Sequence, residues 1–320
     1  MITRRNLLAS AMALGAWPHL SRAEQWPSRP IRFIVPFSAA GPTDALARQV
    51  AKQMQADFGQ TLVIENLVGA AGQIGLGNVA RATADGYTIG ISANTIQTIA
   101  PHLGKLPYDT INGFTPLGGL AGFPYGLAVS AQSPINSVQD LVARAKAAPG
   151  TIKAGSAGLG TGADITINLL AQRAGIEVIQ ATYKGSAPVI QDLIAGHIDF
   201  TFDVISNVVP MWRQGLIKVI ATTGATRHKV INAVPTMNEL YPGFEFTAWF
   251  ALYGPPDVPA PIVKRLSDEL LSIQKTAEFQ AFLEDRGFDA MPASAEALGK
   301  LTREEMTRWA DVVARMPKRS

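Results

Sequence analysis

The sequence predicts an α/β fold in two lobes, with the chain crossing between them twice. Three observations predict it. One strand–loop–helix pattern occurs twice: Ile31-Arg32-Phe33-Ile34-Val35 runs into Pro36-Phe37-Ser38-Ala39-Ala40-Gly41-Pro42-Thr43-Asp44, and Ile152-Lys153-Ala154 runs into Gly155-Ser156-Ala157-Gly158-Leu159-Gly160-Thr161. Strand and helix patterns alternate from residue 152 to residue 221, the mark of a lobe with a largely parallel sheet. After Pro242-Gly243, an aromatic-rich extended run over 244–252 leads to helices expected to pack on the first lobe, so the crossings fall near 126 and near 247. Two crossings make a hinge, and the cleft between hinged α/β lobes is a common seat for a small ligand.

Residues 1–23 read as an export signal. Arg4 and Arg5 form its charged start, residues 7–17 a short apolar run, and Ser21-Arg22-Ala23 a cleavage site that puts the mature start at Glu24. Thr3-Arg4-Arg5-Asn6-Leu7-Leu8 fits a twin-arginine signal as well as an ordinary secretory one, and both routes leave the cytoplasm. The first lobe is assigned to 24–125 with 250–320. There Leu46, Val50, Met54 and Phe58 recur every four residues, giving a helix with one buried stripe and Thr43 or Asp44 as its N-cap. Residues 61–64 and 87–92 read as strands. Between them, Gly69-Ala70-Ala71-Gly72-Gln73-Ile74-Gly75 opens a short helix that ends at Arg81. Residues 101–125 are rich in Pro and Gly and read as irregular.

The second lobe is assigned to 126–249. A strand at 126–129 leaves the first lobe, and Ser137 caps a helix that ends at Pro149-Gly150. Strand–helix units follow over 152–154 with 162–174, 178–181 with 187–195, and 198–202 with a short helix near Val208; a strand at 217–221 closes the series. The returning chain forms helices at 260–272, 276–284 and 295–314.

The full chain has 28 Lys+Arg and 25 Asp+Glu; Arg4, Arg5 and Arg22 lie in the signal, which holds no acid, so the mature chain carries 25 of each sign. That neutrality gives no support to nucleic-acid binding. The absence of cysteine excludes disulfides, thiol chemistry and a lipid-anchored N-terminal Cys. An apolar content of 47% is ample for a core in each lobe. A free, monomeric, periplasmic protein is expected.

Several motifs touch chemistry. Ala154-Gly155-Ser156-Ala157-Gly158 approaches the G-x-S-x-G nucleophile elbow, with Ala154 at the first glycine position. It offers an alternative function, an exported serine esterase using Ser156. Only His197 and His228 follow, however, and neither sits in a partner motif. Gly75-Leu76-Gly77-Asn78-Val79-Ala80 loosely matches a dinucleotide fingerprint. It does not directly follow a strand, and no acid lies about 20 residues on, so close helix packing is the better reading. No Walker loop occurs, and no His, Asp or Glu cluster has metal-ligand spacing. No catalytic residue, metal or cofactor is therefore assigned. In Thr182-Tyr183-Lys184-Gly185-Ser186-Ala187-Pro188, Lys184 either meets an anion or is solvated. Asp203, at the end of an apolar strand, either caps the next helix or points into the cleft.

Further segments complete an ordered set. They are Trp26-Pro27-Ser28-Arg29-Pro30-Ile31, Val35-Pro36-Phe37, Glu65-Asn66, the run Gly69 to Gly75, Ala84-Asp85-Gly86-Tyr87-Thr88 and Leu106-Pro107-Tyr108-Asp109. Later come Gly155 to Thr161, Tyr183-Lys184-Gly185, Val234-Pro235-Thr236 and Pro242-Gly243-Phe244. In this order they resemble the substrate-binding proteins of tripartite tricarboxylate transporters, the Bug family, over essentially the whole mature chain. The resemblance implies a type II, Venus-flytrap periplasmic binding protein that is not an enzyme. It implies a carboxylate-bearing solute (a di- or tricarboxylate, an acidic amino acid or an aromatic acid) held between residues 37–44 and 156–161, partly through ordered water. It also implies delivery to the permease subunits of a membrane transporter driven by an ion gradient. The chain departs from the family pattern at Ala40 and Ala71, where glycine is usual, and at Asp164, where histidine is usual.

Small-residue turns let main-chain N–H groups approach a ligand, and helix N-termini add partial positive charge. The expected carboxylate donors are thus the amides around Ser38, Ala39, Ala40 and Gly41, and around Ala157, Gly158, Gly160 and Thr161, with the Ser156 and Thr161 hydroxyls added. Phe37 would wall the pocket. Thr43, Asp44, Asn94 and Asp203 are candidates for reading the rest of the solute. Charge-assisted hydrogen bonds contribute ~1.5–3 kcal/mol each, and four or five of them, less the cost of association, fit roughly micromolar affinity.

Overall fold

The computed structural model describes residues 26–314, so the expected signal and mature start lie outside the described residues. In the first lobe, β1 (Ile31–Val35) leads through a tight turn into α1 (Pro42–Phe58). Its stripe of Leu46, Val50, Met54 and Phe58 is buried as the four-residue spacing predicts. Its N-cap is Gly41 with Pro42 in the first turn, which corrects the expectation of Thr43 or Asp44. Proline lacks an N–H and suits the first helical position, which moves Asp44 to the third. Next come β2 (Leu62–Asn66), α2 (Gln73–Ala80) and β3 (Thr88–Ala93), with β2 and β3 parallel to β1 on either side. A π turn (Thr95–Ile99) and α3 (Ala100–Leu103) follow.

The stretch expected to be irregular instead contributes most of β4 (Thr115–Ser130). Its glycines mark close packing rather than turns. A Cβ on Gly119 would sit 2.5 Å from the Met291 carbonyl, and one on Gly118 would sit 2.9 Å from Leu270 Cδ1. Register shifts between Pro116 and Gly118 and between Gly119 and Ala121 bend the strand around these contacts.

The second lobe is built from α4 (Val138–Ala147), β5 (Lys153–Ser156), α5 (Gly162–Ala174), β6 (Ile179–Thr182), α6 (Ser186–Ala195), β7 (Phe200–Val204), α7 (Ile205–Arg213), β8 (Ile217–Thr222) and α8 (Met237–Leu240). β5 lies between β6 and β7, parallel to both. The chain returns through β9 (Thr247–Gly254), α9 (Ala260–Ile273), α10 (Ala277–Asp285), β10 (Asp289–Ala290) and α11 (Ala295–Ala314). α9 packs on β4 and α1, and α11 packs on β4 and the π turn.

One sheet runs through both lobes in the order β2-β1-β3-β9-β4-β7-β5-β6. β4 is its shared member: residues up to Pro124 pair with β9, and residues from Tyr125 pair with β7 and β8, all antiparallel. Rings line this join. Phe123 lies 4.7 Å from Phe250, Tyr125 5.4 Å from Phe246, and Phe246 5.5 Å from Trp309, measured between centroids. No helix of the described residues is long and apolar enough to cross a membrane.

The glycines of β4 separate cleanly by packing. Gly119→Ala forces a methyl against the Met291 carbonyl and is expected to destabilise by about 1–3 kcal/mol. Gly122→Ala meets nothing closer than 3.9 Å and is expected to be tolerated. Urea unfolding of the two variants checks this contrast.

Candidate functional site

The two sequence-predicted turns have the same hydrogen-bond design. Each leaves a strand that has parallel neighbours on both sides and enters a helix N-terminus. In the first, the Ala40 amide donates to Asp44 Oδ2 at 2.9 Å. In the second, the Gly160 amide donates to Asp164 Oδ2 at 2.7 Å. The Gly41 amide reaches the Ser38 carbonyl and the Thr161 amide reaches the Gly158 carbonyl, both at 3.4 Å. The first helical bonds, Ala45 to Gly41 and Ile165 to Thr161, are both 3.0 Å. Ala40 and Gly160 thus correspond, as do Gly41 and Thr161, and Asp44 and Asp164.

Each aspartate is also anchored from the neighbouring strand. Asn66 Nδ2, at the end of β2, donates to Asp44 Oδ1 at 3.0 Å, and Gln180 Nε2 of β6 donates to Asp164 Oδ1 at 2.7 Å. Arg48 adds two bonds to Asp44, at 2.9 and 3.1 Å. Burial pushes the Asp44 carboxyl up, but bonds from Arg48, Asn66 and the Ala40 amide outweigh it and hold the group below the usual carboxylate range. Asp164 is buried and turned back onto its own loop, so the acid in place of the family's histidine completes the turn.

This design sorts the expected donors. The amides of Ala40, Gly41, Gly160 and Thr161 are engaged within their turns. Those of Ser38, Ala39, Gly158 and Leu159 meet no protein acceptor among the described residues. The Thr161 hydroxyl donates to the Gly158 carbonyl at 2.7 Å and accepts from the Asp164 amide, so it caps α5. Phe37 is half-buried, 6.5 Å from Phe250. Thr43 is buried. Asn94 ties the end of β3 to the start of β9 through the Thr247 carbonyl, at 3.2 Å.

Ser156 is wholly buried, and its Oγ finds no hydrogen-bond partner among the described residues. His197 Nδ1 lies 3.1 Å from Asp192, and His228 Nε2 lies 3.0 Å from the Gly287 carbonyl. Neither imidazole is placed as a base for Ser156. Asp203 is also buried. Its Oδ1 accepts from the Ser186 hydroxyl, the Val204 amide and Asn207, whereas Oδ2 has no partner among the described residues. Burial pushes its pKa up to about 6 against those bonds. Among the described residues, no group of three or more His, Asp or Glu could hold a metal ion.

A third turn completes the neighbourhood. Ala70, Ala71 and Gly72 all have positive φ (47°, 51° and 95°), and Gly75 packs against Pro36 at the root of the first turn. Ala40, with φ 62°, shares that left-handed conformation, so the two departures from glycine fall where glycine suits the backbone. A cavity of about 290 Å³ opens between this third turn, the π turn with residues 100–106, and Leu159 with Gly160 of the second turn. The first turn does not line it, and Ser38, Ala39 and Ala40 are exposed. Sequence reasoning missed the part of this wall over 95–106. It also missed Gln97, which is fully buried in the π turn with both amide atoms unpartnered among the described residues. A glutamine between Ile96 and Ile99 was the available signal.

The model of the tripartite tricarboxylate transporter family receptor matches residues 46–317. Solved structures share the whole fold. The periplasmic binding protein BugD is 31% identical, covering 92% of this chain and 100% of its own, with a TM-score of 0.83. The R. palustris protein Rpa4515 with adipate is 31% identical, covering 91% and 98%, with a TM-score of 0.85. MatC from Rhodopseudomonas palustris with bound malate is 30% identical, covering 90% and 100%, with a TM-score of 0.83.

Two outcomes follow from the site geometry. Ala40→Gly removes a left-handed alanine and is expected to stabilise by about 0.5–1 kcal/mol, net of the freer unfolded chain, in thermal unfolding. Asp203 binds its proton more tightly folded than unfolded, so its contribution is fully present below about pH 4 and is lost as pH rises through about 6. Asp203→Asn is expected to flatten that fall, worth about 2 kcal/mol between about pH 4 and about pH 6, in stability measured across the window.

Proposed function

Because the chain belongs to the tripartite tricarboxylate transporter receptor family, we propose that this solute-binding protein captures a small organic carboxylate between its lobes and passes it to membrane permease subunits. The observation that carries the reading is the paired turn. Ser38 and Ala39 in one lobe, and Gly158 and Leu159 in the other, present amides without a protein acceptor at two helix N-termini. Amides at a helix N-terminus favour an anion without a buried Lys or Arg. The solved relatives with adipate and with malate support a carboxylate as the solute class.

The lobe division carried into this reading is 24–125 with 250–320 against 126–249. Supporting it, β4 changes partners between Pro124 and Tyr125, and β9 begins at Thr247. Closure about these two strands would bring the turns onto one solute. Supporting a periplasmic, non-enzymatic role are the periplasmic binding protein BugD among its solved relatives and a Ser156 hydroxyl that lacks a base.

A thermal-shift panel of carboxylates, neutral sugars and cationic amines tests the reading. At least one carboxylate is expected to raise the melting temperature by mass action, and the shift is expected to saturate. A shift by a neutral or cationic solute alone would contradict it.

A further inference from the structure

We infer that Asn66 and Thr161 are positioning residues for solute binding: each holds a carbonyl of one turn by a side-chain hydrogen bond, and so aims the amide of the same peptide at the solute. Their role rests on the carboxylate reading above and deepens it. A peptide unit is planar and trans, so its N–H points opposite to its C=O. Fixing the carbonyl of one residue therefore fixes the direction of the next residue's amide.

Each of the four amides offered to the solute belongs to a peptide whose carbonyl is held from within its own lobe. In the first turn, Asn66 Nδ2 donates to the Phe37 carbonyl at 3.0 Å, which sets the Ser38 amide. The Gly41 amide donates to the Ser38 carbonyl at 3.4 Å, which sets the Ala39 amide. In the second turn, the Gly185 amide donates to the Ala157 carbonyl at 3.0 Å, which sets the Gly158 amide. The Gly158 carbonyl accepts the Thr161 hydroxyl at 2.7 Å and the Thr161 amide at 3.4 Å, which sets the Leu159 amide. Two of these carbonyls, one per lobe, are thus held by a side chain.

The bond lengths favour this role over capping alone. The Thr161 hydroxyl lies 2.7 Å from the carbonyl to which it donates but 3.4 Å from the Asp164 amide that it caps. Asn66 Nδ2 also donates to Asp44 Oδ1 at 3.0 Å, so it ties the Ser38 peptide to the carboxylate that closes the same turn. A hydrogen bond at a carbonyl polarises its peptide, strengthening the N–H as a donor by roughly 10–30%. An anion entering the cleft then meets donors already aimed, so binding does not have to order them.

Thr161→Val removes the hydroxyl at nearly constant volume, and Thr161→Ser keeps it. Residual dipolar couplings on the isotope-labelled, solute-free mature protein report the N–H directions. In Thr161→Val the Leu159 N–H is expected to turn relative to α5 while the Gly158 N–H, held by Gly185, stays. In Thr161→Ser both are expected to stay. Asn66→Ala is expected to turn the Ser38 N–H and to leave those of Gly158 and Leu159. Titration calorimetry then uses the tightest carboxylate of the thermal-shift panel, with malate and adipate included. Thr161→Val and Asn66→Ala are each expected to weaken it about 10-fold, and Thr161→Ser to restore binding to within about 2-fold. A role in capping alone would lower the melting temperature of Thr161→Val with the Leu159 N–H unmoved, and that result would overturn the inference. So would a turned N–H with affinity unchanged; the carboxylate reading stands in both cases. If no carboxylate binds, both fall.

Discussion

In each lobe an aspartate at the third position of a helix reaches back to the amide four residues earlier. Asp44 grips the Ala40 amide and Asp164 grips the Gly160 amide. This bond fixes a left-handed residue, closes the turn and leaves the two preceding amides without a protein partner. A charged acceptor roughly doubles the strength of such a bond over a neutral one. The aspartates also answer the helix dipoles, so each turn is stable without a ligand. Neighbouring strands reinforce the arrangement through Asn66 and Gln180. The turns are therefore held within their own lobes, and the lobes meet at a join.

That join consists of β4 and β9 and the rings around them. A strand that pairs with one sheet segment up to Pro124 and with another from Tyr125 transmits any rotation of one lobe to the other. The run of rings from Phe288 and Phe250 through Phe123 and Tyr125 to Phe246 and Trp309 gives the join an apolar filling. Ring stacks can slide without breaking hydrogen bonds, which suits a shear between packed elements. Asn94 pins the start of β9 to the first lobe.

Much of this was legible in the sequence, and the failures have physical causes. The stripe of Leu46, Val50, Met54 and Phe58 marked α1 because helical burial repeats nearly every four residues. The two small-residue turns were visible as a pattern. The role of Asp44 was not, because a third-position acid that caps its own loop looks the same in sequence as one aimed at a solute. The Thr161 hydroxyl was misjudged for the same reason. β4 was hidden because Gly118 and Gly119 are there to admit Leu270 and Met291, contacts that come from far along the chain. The cavity wall at Ile96, Leu103 and Leu159 was hidden because its members come from both lobes and are polar in none of their local patterns.

The proposed function requires that main-chain dipoles from both lobes grip one negatively charged solute at once. A crystal structure of the protein soaked with its tightest carboxylate tests it most directly. Carboxylate oxygens are expected within hydrogen-bond reach, directly or through one water, of the amides of Ser38 or Ala39 and of Gly158 or Leu159. A solute bound away from these amides, with both turns open to solvent, would contradict it.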